Sequence, residues 1–539
     1  MKSRGKACLT TIMLFAALAF PAQGIGQEQV ESQHHRVHHR YRLVDLGTFG
    51  GPESFINAPV NGGTGVNVRG TTVGGSATLV PRPANSISFF CGGLDGSVPF
   101  IFHAFKWQDG EVTDLGALPP AATTCSNAQS VNARGEIVGT SENGQMDPVS
   151  GANQFRVVLW KDGKIRDLGT LGGTSGQATQ INNRGQITGF AYNAIPDAFT
   201  PNGTQIRAFL WENGRMKDLG TVGGPDVLAT FINERGQVAG LSLTSSIANP
   251  STGIPTQDPF LWSEDTGIIN LGSLGGVAGG PSALNNRGQV VGQSSDAADP
   301  AACFTGNDPD NCLPFLWDDG KLTNLNTHTI GGNPLTANAI NDAGEIVGTA
   351  LFPNQTAPHA YLWKDGVAKD LGTVNDDCFS EAFAINSRGQ VVGQSFSCVT
   401  QLGRTFLWDD GTMIDLNMFV PPGSGLQLVE AVAINDRGEI AGDLVPPDCG
   451  GGIVPTQGND AKCGHAFVLV PCVEDNADKK ECEFDSAEAR AEAEVPLNPT
   501  AQTPTATGSQ VKLSPDELVA RYRSLTTKRH RRFPNFSPK

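Results

Sequence analysis

Hydrophobic and polar residues alternate along this chain in short runs separated by turn dipeptides. The stretch "FLWENGRMKDLGTVGG", from Phe209, is an apolar run, an Asn-Gly turn and a second alternating run. Alternation of period 2, bounded by Gly, Asn and Asp, predicts β-strands joined by tight hairpins. Asn-Gly and Asp-Gly accept the positive φ that a two-residue hairpin turn demands. Near-copies recur as "VLWKDGKIRDLGTLGG" from Val158 and "YLWKDGVAKDLGTV" from Tyr361. Four segments make one unit. Segment A is an apolar run ending in Trp. Segment B follows the hairpin turn and ends in Asp-Leu-Gly or a variant such as Asn270-Leu271-Gly272. Segment C ends in Ile-Asn, as at Ile181-Asn182. Segment D follows an Asn-Arg-Gly type of turn and reads QVVG or EIVG.

The repeat anchors are Trp107, Trp160, Trp211, Trp262, Trp317, Trp363 and Trp408, which are all 7 tryptophans of the chain. Their spacing, roughly 50 residues, is that of propeller-type arrays. Segments B, C and D each occur eight times, beginning with the B segment at Tyr41. The A segment that should precede that first B is missing there. It stands instead at the far end as "HAFVLV", His465 to Val470. A unit split between both ends predicts an all-β fold, an eight-bladed β-propeller of about 50-residue four-stranded repeats, closed by pairing of its N- and C-terminal strands. Closure removes the exposed sheet edges. An open solenoid of the same period would need dedicated capping units. The pattern does not say which strand lies innermost, because either grouping of the hairpins leaves a split unit.

The pattern HAFLW-x-x-G-x-x-x-DLGTLGG, followed by A-x-x-IN-x-x-GQVVG, resembles the HAF-repeat family of bacterial extracellular proteins. His103-Ala104-Phe105 and His465-Ala466-Phe467 keep the naming tripeptide, and His359-Ala360-Tyr361 nearly does. The resemblance runs from about Tyr41 to Pro471. It implies a secreted repeat protein and no defined activity. Other copies replace the His, as in Arg207-Ala208-Phe209, which argues against a shared catalytic role for it.

Composition narrows the field. With 66 glycines and 17% charged residues in 539, the chain suits many short strands and tight turns. A formal net charge of −16 excludes a nucleic-acid backbone as partner, which requires a basic face. Residues 1–24 read as a signal peptide, with a basic start, a short apolar stretch and small residues near Ala22 to Gly24. No membrane span is expected once it is removed. Residues 25–40 form a His-rich linker, 41–471 the propeller, 472–513 a charged and Pro/Thr-rich linker, and 514–539 a C-terminal helix with a basic tail. Ser514, Pro515 and Glu517 supply the helix start. Cys8 leaves with the signal, and ten cysteines remain. An even number in an exported chain predicts disulfides between neighbours: Cys91–Cys125, Cys303–Cys312, Cys378–Cys398, Cys449–Cys463 and Cys472–Cys482.

Antiparallel order puts the A–B and C–D turns on one face and the B–C and D–A links on the other. The first set is short and uniform, while the second is long, irregular and holds the cysteines. Loops on a rigid scaffold carry function, so the B–C/D–A face is the candidate binding surface. The tryptophans, at a fixed strand position beside Phe and Leu, read as blade-to-blade core rather than a sugar platform. The recurring Asp of DLG reads as a structural hydrogen-bonding group, since a catalytic pair needs only one location. The glycines after DLGT lack the lysine and helix of a phosphate loop. No cofactor is expected. Gly306 to Cys312 holds oxygen ligands suited to Ca2+ without the spacing of a known loop, and the histidines of His34 to Arg40 read as linker rather than a metal trap. There is no GxSxG or HExxH motif. The reading that results is a secreted or periplasmic, non-enzymatic scaffold binding an extracellular glycan, polymer or protein. The alternative is a propeller polysaccharide hydrolase or lyase whose acids converge from several blades. A mainly structural envelope role comes third.

Overall fold

The computed structural model describes residues 40–472, apart from 58–63, 84–85, 89–90, 92–98, 251, 254, 298–302, 304–311, 400–402, 448 and 450–462. The expected signal peptide, His-rich linker, Ca2+ loop and C-terminal tail lie outside the described residues.

Eight small antiparallel sheets form the blades of a β-propeller. In every blade the strand order is C–D–A–B, as in the second, where Ser126–Val131, Ile137–Met146, Asn153–Lys161 and Lys164–Asp167 follow one another across the sheet. The A–B hairpins turn as their sequences require. Asp162 and Gly163 both hold positive φ, 52° and 69°, in the "KDG" turn. The invariant glycine of segment D has a different reason. The C strand bulges opposite it, and a Cβ on Gly189 would lie 2.0 Å from the Gln177 carbonyl oxygen. Only glycine lets the two backbones approach so closely.

The eighth blade is made from both ends of the domain. Tyr41–Asp45 pairs antiparallel with His465–Pro471, with Val44 opposite Val468, and Ile440–Val445 and Gln427–Ile434 complete the sheet. The ring is closed as the split repeat required.

The core lies between blades rather than within them. Two positions before each Trp, the fully buried Phe105, Val158, Phe209, Phe260, Phe315, Tyr361 and Phe406 sit in the hydrophobic clusters. Val138, Val157 and Leu159 of the second blade pack with Ile187, Phe209 and Trp211 of the third. Across the closing seam, Phe105 and Trp107 of the first blade meet Val432, Ala441 and Val468 of the eighth.

Candidate functional site

Segment C is the innermost strand, and its closing Asn does more than shape a turn. Each Asn side chain donates to the backbone carbonyl of the matching Asn in the next blade. The bonds run from Asn67 to Asn132 at 2.7 Å, then through Asn182, Asn233, Asn285, Asn341 and Asn386 to Asn435 at 3.0–3.2 Å. Asn435 returns to Asn67 at 2.7 Å, so the circle of eight is complete. In seven blades the same amide also donates to a Glu or Gln four residues on, such as Glu136 or Gln186. Inside the circle is a cavity of about 350 Å3, lined by residues from all eight blades. Its polar groups already serve the ring. Glu234, Asp342 and Asp436 accept from the backbone N–H of the preceding blade's turn at 2.8–3.1 Å. Seven turns carry an exposed Arg two residues after the Asn, Ala343 being the exception. Arg134 pairs with Glu136 and donates to the Asn183 carbonyl at 2.6 Å, and Arg235 donates to the Arg287 carbonyl at 3.2 Å. This face is a latch between blades.

The HAF histidine and the DLG aspartate are partners. His103, His359 and His465 face Asp114, Asp370 and Asp45 across strands A and B at 2.9–3.1 Å. Arg156 and Arg207 fill the same slot against Asp167 and Asp218 at 2.9 and 3.0 Å. Arg404 sits 3.9 Å from Asp415. The fourth blade inverts the pair, with Asn270 donating to Asp258 at 2.8 Å. The fifth has Leu313 and Asn324 there and no such pair. Each Asp also accepts from the backbone N–H two residues on, as at Gly116, 2.7 Å. Burial pulls the His103 imidazole down, but its hydrogen bond and ion pair with Asp114, joined by the Ala121 carbonyl, outweigh that and leave it raised. The pair fixes the end of a hairpin.

Trp107, Trp160, Trp211, Trp262 and Trp408 are buried between blades, while Trp317 and Trp363 are half-buried. Basic residues of the preceding blade cover several: Lys217 lies 4.9 Å over Trp262, and Lys369 lies 4.7 Å over Trp408. They offer no open aromatic platform.

The opposite face differs in kind. Disulfides Cys91–Cys125, Cys303–Cys312, Cys378–Cys398 and Cys449–Cys463 brace it. Such bonds fit an oxidising environment. The partner expected for Cys472, Cys482, lies outside the described residues. Of the 13 large hydrophobic residues exposed among the described residues, nine stand at the ends of D strands or in D–A loops. They are Leu79, Val80, Ile87, Met146, Val149, Ile195, Ile247, Leu351 and Val399, with Ile247 77% and Met146 60% exposed. The loops of the first three blades interlock. Asn153 donates its backbone N–H to the Ile87 carbonyl at 2.8 Å, and a Cβ on Gly203 would touch Val149 at 3.2 Å. Beneath them lie acids. Asp147 is held by the Val149 and Ser150 N–H groups and by Thr174. Asp226 is fully buried. Its Oδ1 accepts the Ile206 N–H at 2.8 Å, and its Oδ2 has no hydrogen-bond partner among the described residues. Burial first, and then the charge of Asp197, push its carboxyl up to about 7, against the pull of Ile206 and Arg207.

Among the described residues no cluster of three or more His, Cys, Asp or Glu could hold a metal ion. None of their helices is long and apolar enough to cross a membrane. Sequence reasoning missed the asparagine ring and the apolar rim. The first had a visible signal, eight repeats of Asn with Glu or Gln four residues later in seven. The second had none, because the exposed Leu79 and the buried Phe102 look alike in sequence.

No protein-family model matches the sequence. No curated protein matches it significantly. Solved structures of similar fold include an acylaminoacyl peptidase of Pyrococcus horikoshii, 11% identical, with 73% of this chain and 58% of that one covered and a TM-score of 0.34. A puromycin-hydrolysing peptidase of Mycobacterium tuberculosis is 13% identical over 66% and 51%, TM-score 0.33. Dipeptidyl peptidase 4 of Porphyromonas gingivalis is 10% identical over 65% and 55%, TM-score 0.36. The chain thus spans only about half to three fifths of these proteins. Likenesses this distant carry no argument about activity.

Proposed function

We propose that the protein is an extracytoplasmic, non-enzymatic scaffold that docks a protein partner on its B–C/D–A face. The observation behind this is the segregation of exposed apolar side chains onto D-strand ends and D–A loops. Soluble surfaces scatter such residues singly, and a concentrated rim suits a protein interface. An aliphatic rim favours a protein over a glycan, since sugars stack on aromatic faces and these tryptophans serve the blade packing. The HAF-repeat resemblance, the N-terminal signal pattern and the four disulfides support a location outside the cytoplasm. Among the described residues of this side, the strongly perturbed acid is Asp226, and it is sealed at 0% exposure, out of a substrate's reach.

The test is quantitative cross-linking in the producing cell, wild type against Met146→Asp/Ile195→Asp. Species recovered with wild type and with Val367→Asp on the other face, yet lost with the pair, support the docking reading. Equal recovery from all three overturns it. Turnover of a glycan or peptide panel by the purified chain would overturn the non-enzymatic part.

A further inference from the structure

We infer that the apolar rim of the second to fourth blades is occupied by the chain's own C-terminal segment, residues 514–539. The inference rests on the docking face proposed above and names an occupant for it.

The rim has a definite chemistry. Met146, Val149, Ile195 and Ile247 rise from loops 143–152, 193–203 and 244–256, which contain no Lys or Arg at all. The same loops carry Asp147 and Asp197, with Glu142 at the foot of the first of them, while the sealed Asp226 holds its proton up to about pH 7 and adds little charge. Arg156 and Arg207, at the base of the A strands that follow, pair with Asp167 and Asp218, and Arg82 of the first blade's loop donates to the Cys91 carbonyl. An apolar surface whose own loops carry acids and no cations calls for a cationic amphipathic segment. Residues 514–539 have that character. They hold seven Lys and Arg (Arg521, Arg523, Lys528, Arg529, Arg531, Arg532, Lys539) against two acids (Asp516, Glu517), a net of +5 in a chain of net −16. Leu518, Val519, Tyr522 and Leu525 recur at helical spacing on one side.

The tether reaches. The last strand ends at Pro471 on the A–B face of the eighth blade, which adjoins the first blade. The ring is one strand thick, and strands of 7 to 10 residues span roughly 23–33 Å. A random-coil chain as long as the intervening 473–513 would have a root-mean-square length of about 35 Å. That is comparable to the height of the ring, and tethering at such a length gives an effective concentration on the order of millimolar. A tail docked there competes with any partner for the face.

The probe is a fluorescein-labelled synthetic peptide of residues 514–539, followed by anisotropy against the full chain. Full chain carrying Leu518→Asp/Leu525→Asp, whose own tail is disabled, should bind it, and more weakly as salt rises. Wild-type chain should bind about tenfold more weakly, because its own tail holds the site. Adding Met146→Asp/Ile195→Asp to the tail-disabled chain should cost at least about tenfold, with the melting temperature unchanged because both side chains are exposed. Equal binding by wild-type and tail-disabled chains overturns the inference. So does undiminished binding by the rim variant, or no binding to the tail-disabled chain. If the peptide fails while cross-linked partners still depend on Met146 and Ile195, the tail inference falls and the docking face stands.

Discussion

Replacing Asn435 by Ala tests the ring where the chain's two ends meet. The side chain is buried, 5% exposed, and makes four hydrogen bonds. It donates to the Asn67 carbonyl and to Glu439, and it accepts from the backbone N–H groups of Arg437 and Glu439, both at 3.0 Å. Each bond contributes about 1 kcal/mol net, and truncation leaves buried partners unsatisfied, so a loss of about 3–5 kcal/mol is expected. For a ring of roughly 430 residues the unfolding entropy is about 0.9 kcal/mol/K, which converts that loss into a fall of about 3–6 °C in melting temperature. The assay is differential scanning calorimetry of full-length chains. Asn435→Asp preserves shape and the acceptor oxygen but turns a carboxylate toward the Asn67 carbonyl and Glu439. It should cost at least as much at neutral pH. Asn233→Ala, with the same bonds to Asn285 and Gln237, should match Asn435→Ala within about 1 kcal/mol. A shift below about 1 °C for Asn435→Ala, or an Asp variant as stable as wild type, would refute the latch.

Other expectations follow from the same geometry. His103 has its pKa raised, so its ion pair with Asp114 stabilises fully below the ordinary imidazole value and is lost as pH rises through the higher folded value. His103→Arg, copying Arg156 and Arg207, should fold normally and lose that alkaline decline in a melting series across pH. Asp226 is raised to about 7, so the folded state holds a proton that the unfolded state has released, and stability falls as pH climbs from the ordinary carboxylate range through about 7. Asp226→Asn keeps an acceptor for Ile206 and should melt higher than wild type above pH 7. A chain ending at Gly464 removes the strand that pairs with Tyr41–Asp45 and should lose the cooperative transition, whereas one ending at Val473 should keep it. Leu313→Arg with Asn324→Asp installs the cross-strand pair the fifth blade lacks and should add no more than about 1 kcal/mol, read from the denaturant midpoint.

Much of the architecture could be read from residues because it repeats. The Trp spacing set the unit length, the eight copies of segments B, C and D set the blade count, and the orphan B segment at Tyr41 with the late "HAFVLV" fixed the closure. Hairpin turns such as Asp162-Gly163 follow from local backbone chemistry alone. What stayed hidden depends on contacts between units. Asn182 looks in sequence like a turn residue bonded to its own loop, and it is one, since its Oδ1 accepts from Arg184 and Gln186. Its other half, the amide reaching Asn233, spans 51 residues and appears only when the blades stand side by side. The same contact identifies segment C as innermost. The His-to-Arg changes in segment A argued only against a catalytic role, and the facing Asp shows that they keep one pairing. The swap in the fourth blade to Asp258 with Asn270 then reads as one pair written backwards.

The division of labour between the two faces follows from these obligations. On the C–D face every Asn serves the next blade as well as its own turn, so a change in one unit leaves a buried group orphaned in another. That constraint propagates around the circle and holds the repeats alike, from Asn67 to Asn435. The D–A loops carry no comparable duty to the ring. Their order comes from disulfides and neighbour contacts such as Asn153 with Ile87, which tolerate different lengths and sequences. Closure therefore consumes the chemistry of one face and leaves the other free to vary. A chain that repeats one hairpin gains a rigid disc whose irregular side can acquire a partner without disturbing the bonds that close it. The apolar side chains gathered on that side, from Leu79 to Val399, are what such freedom would be used for.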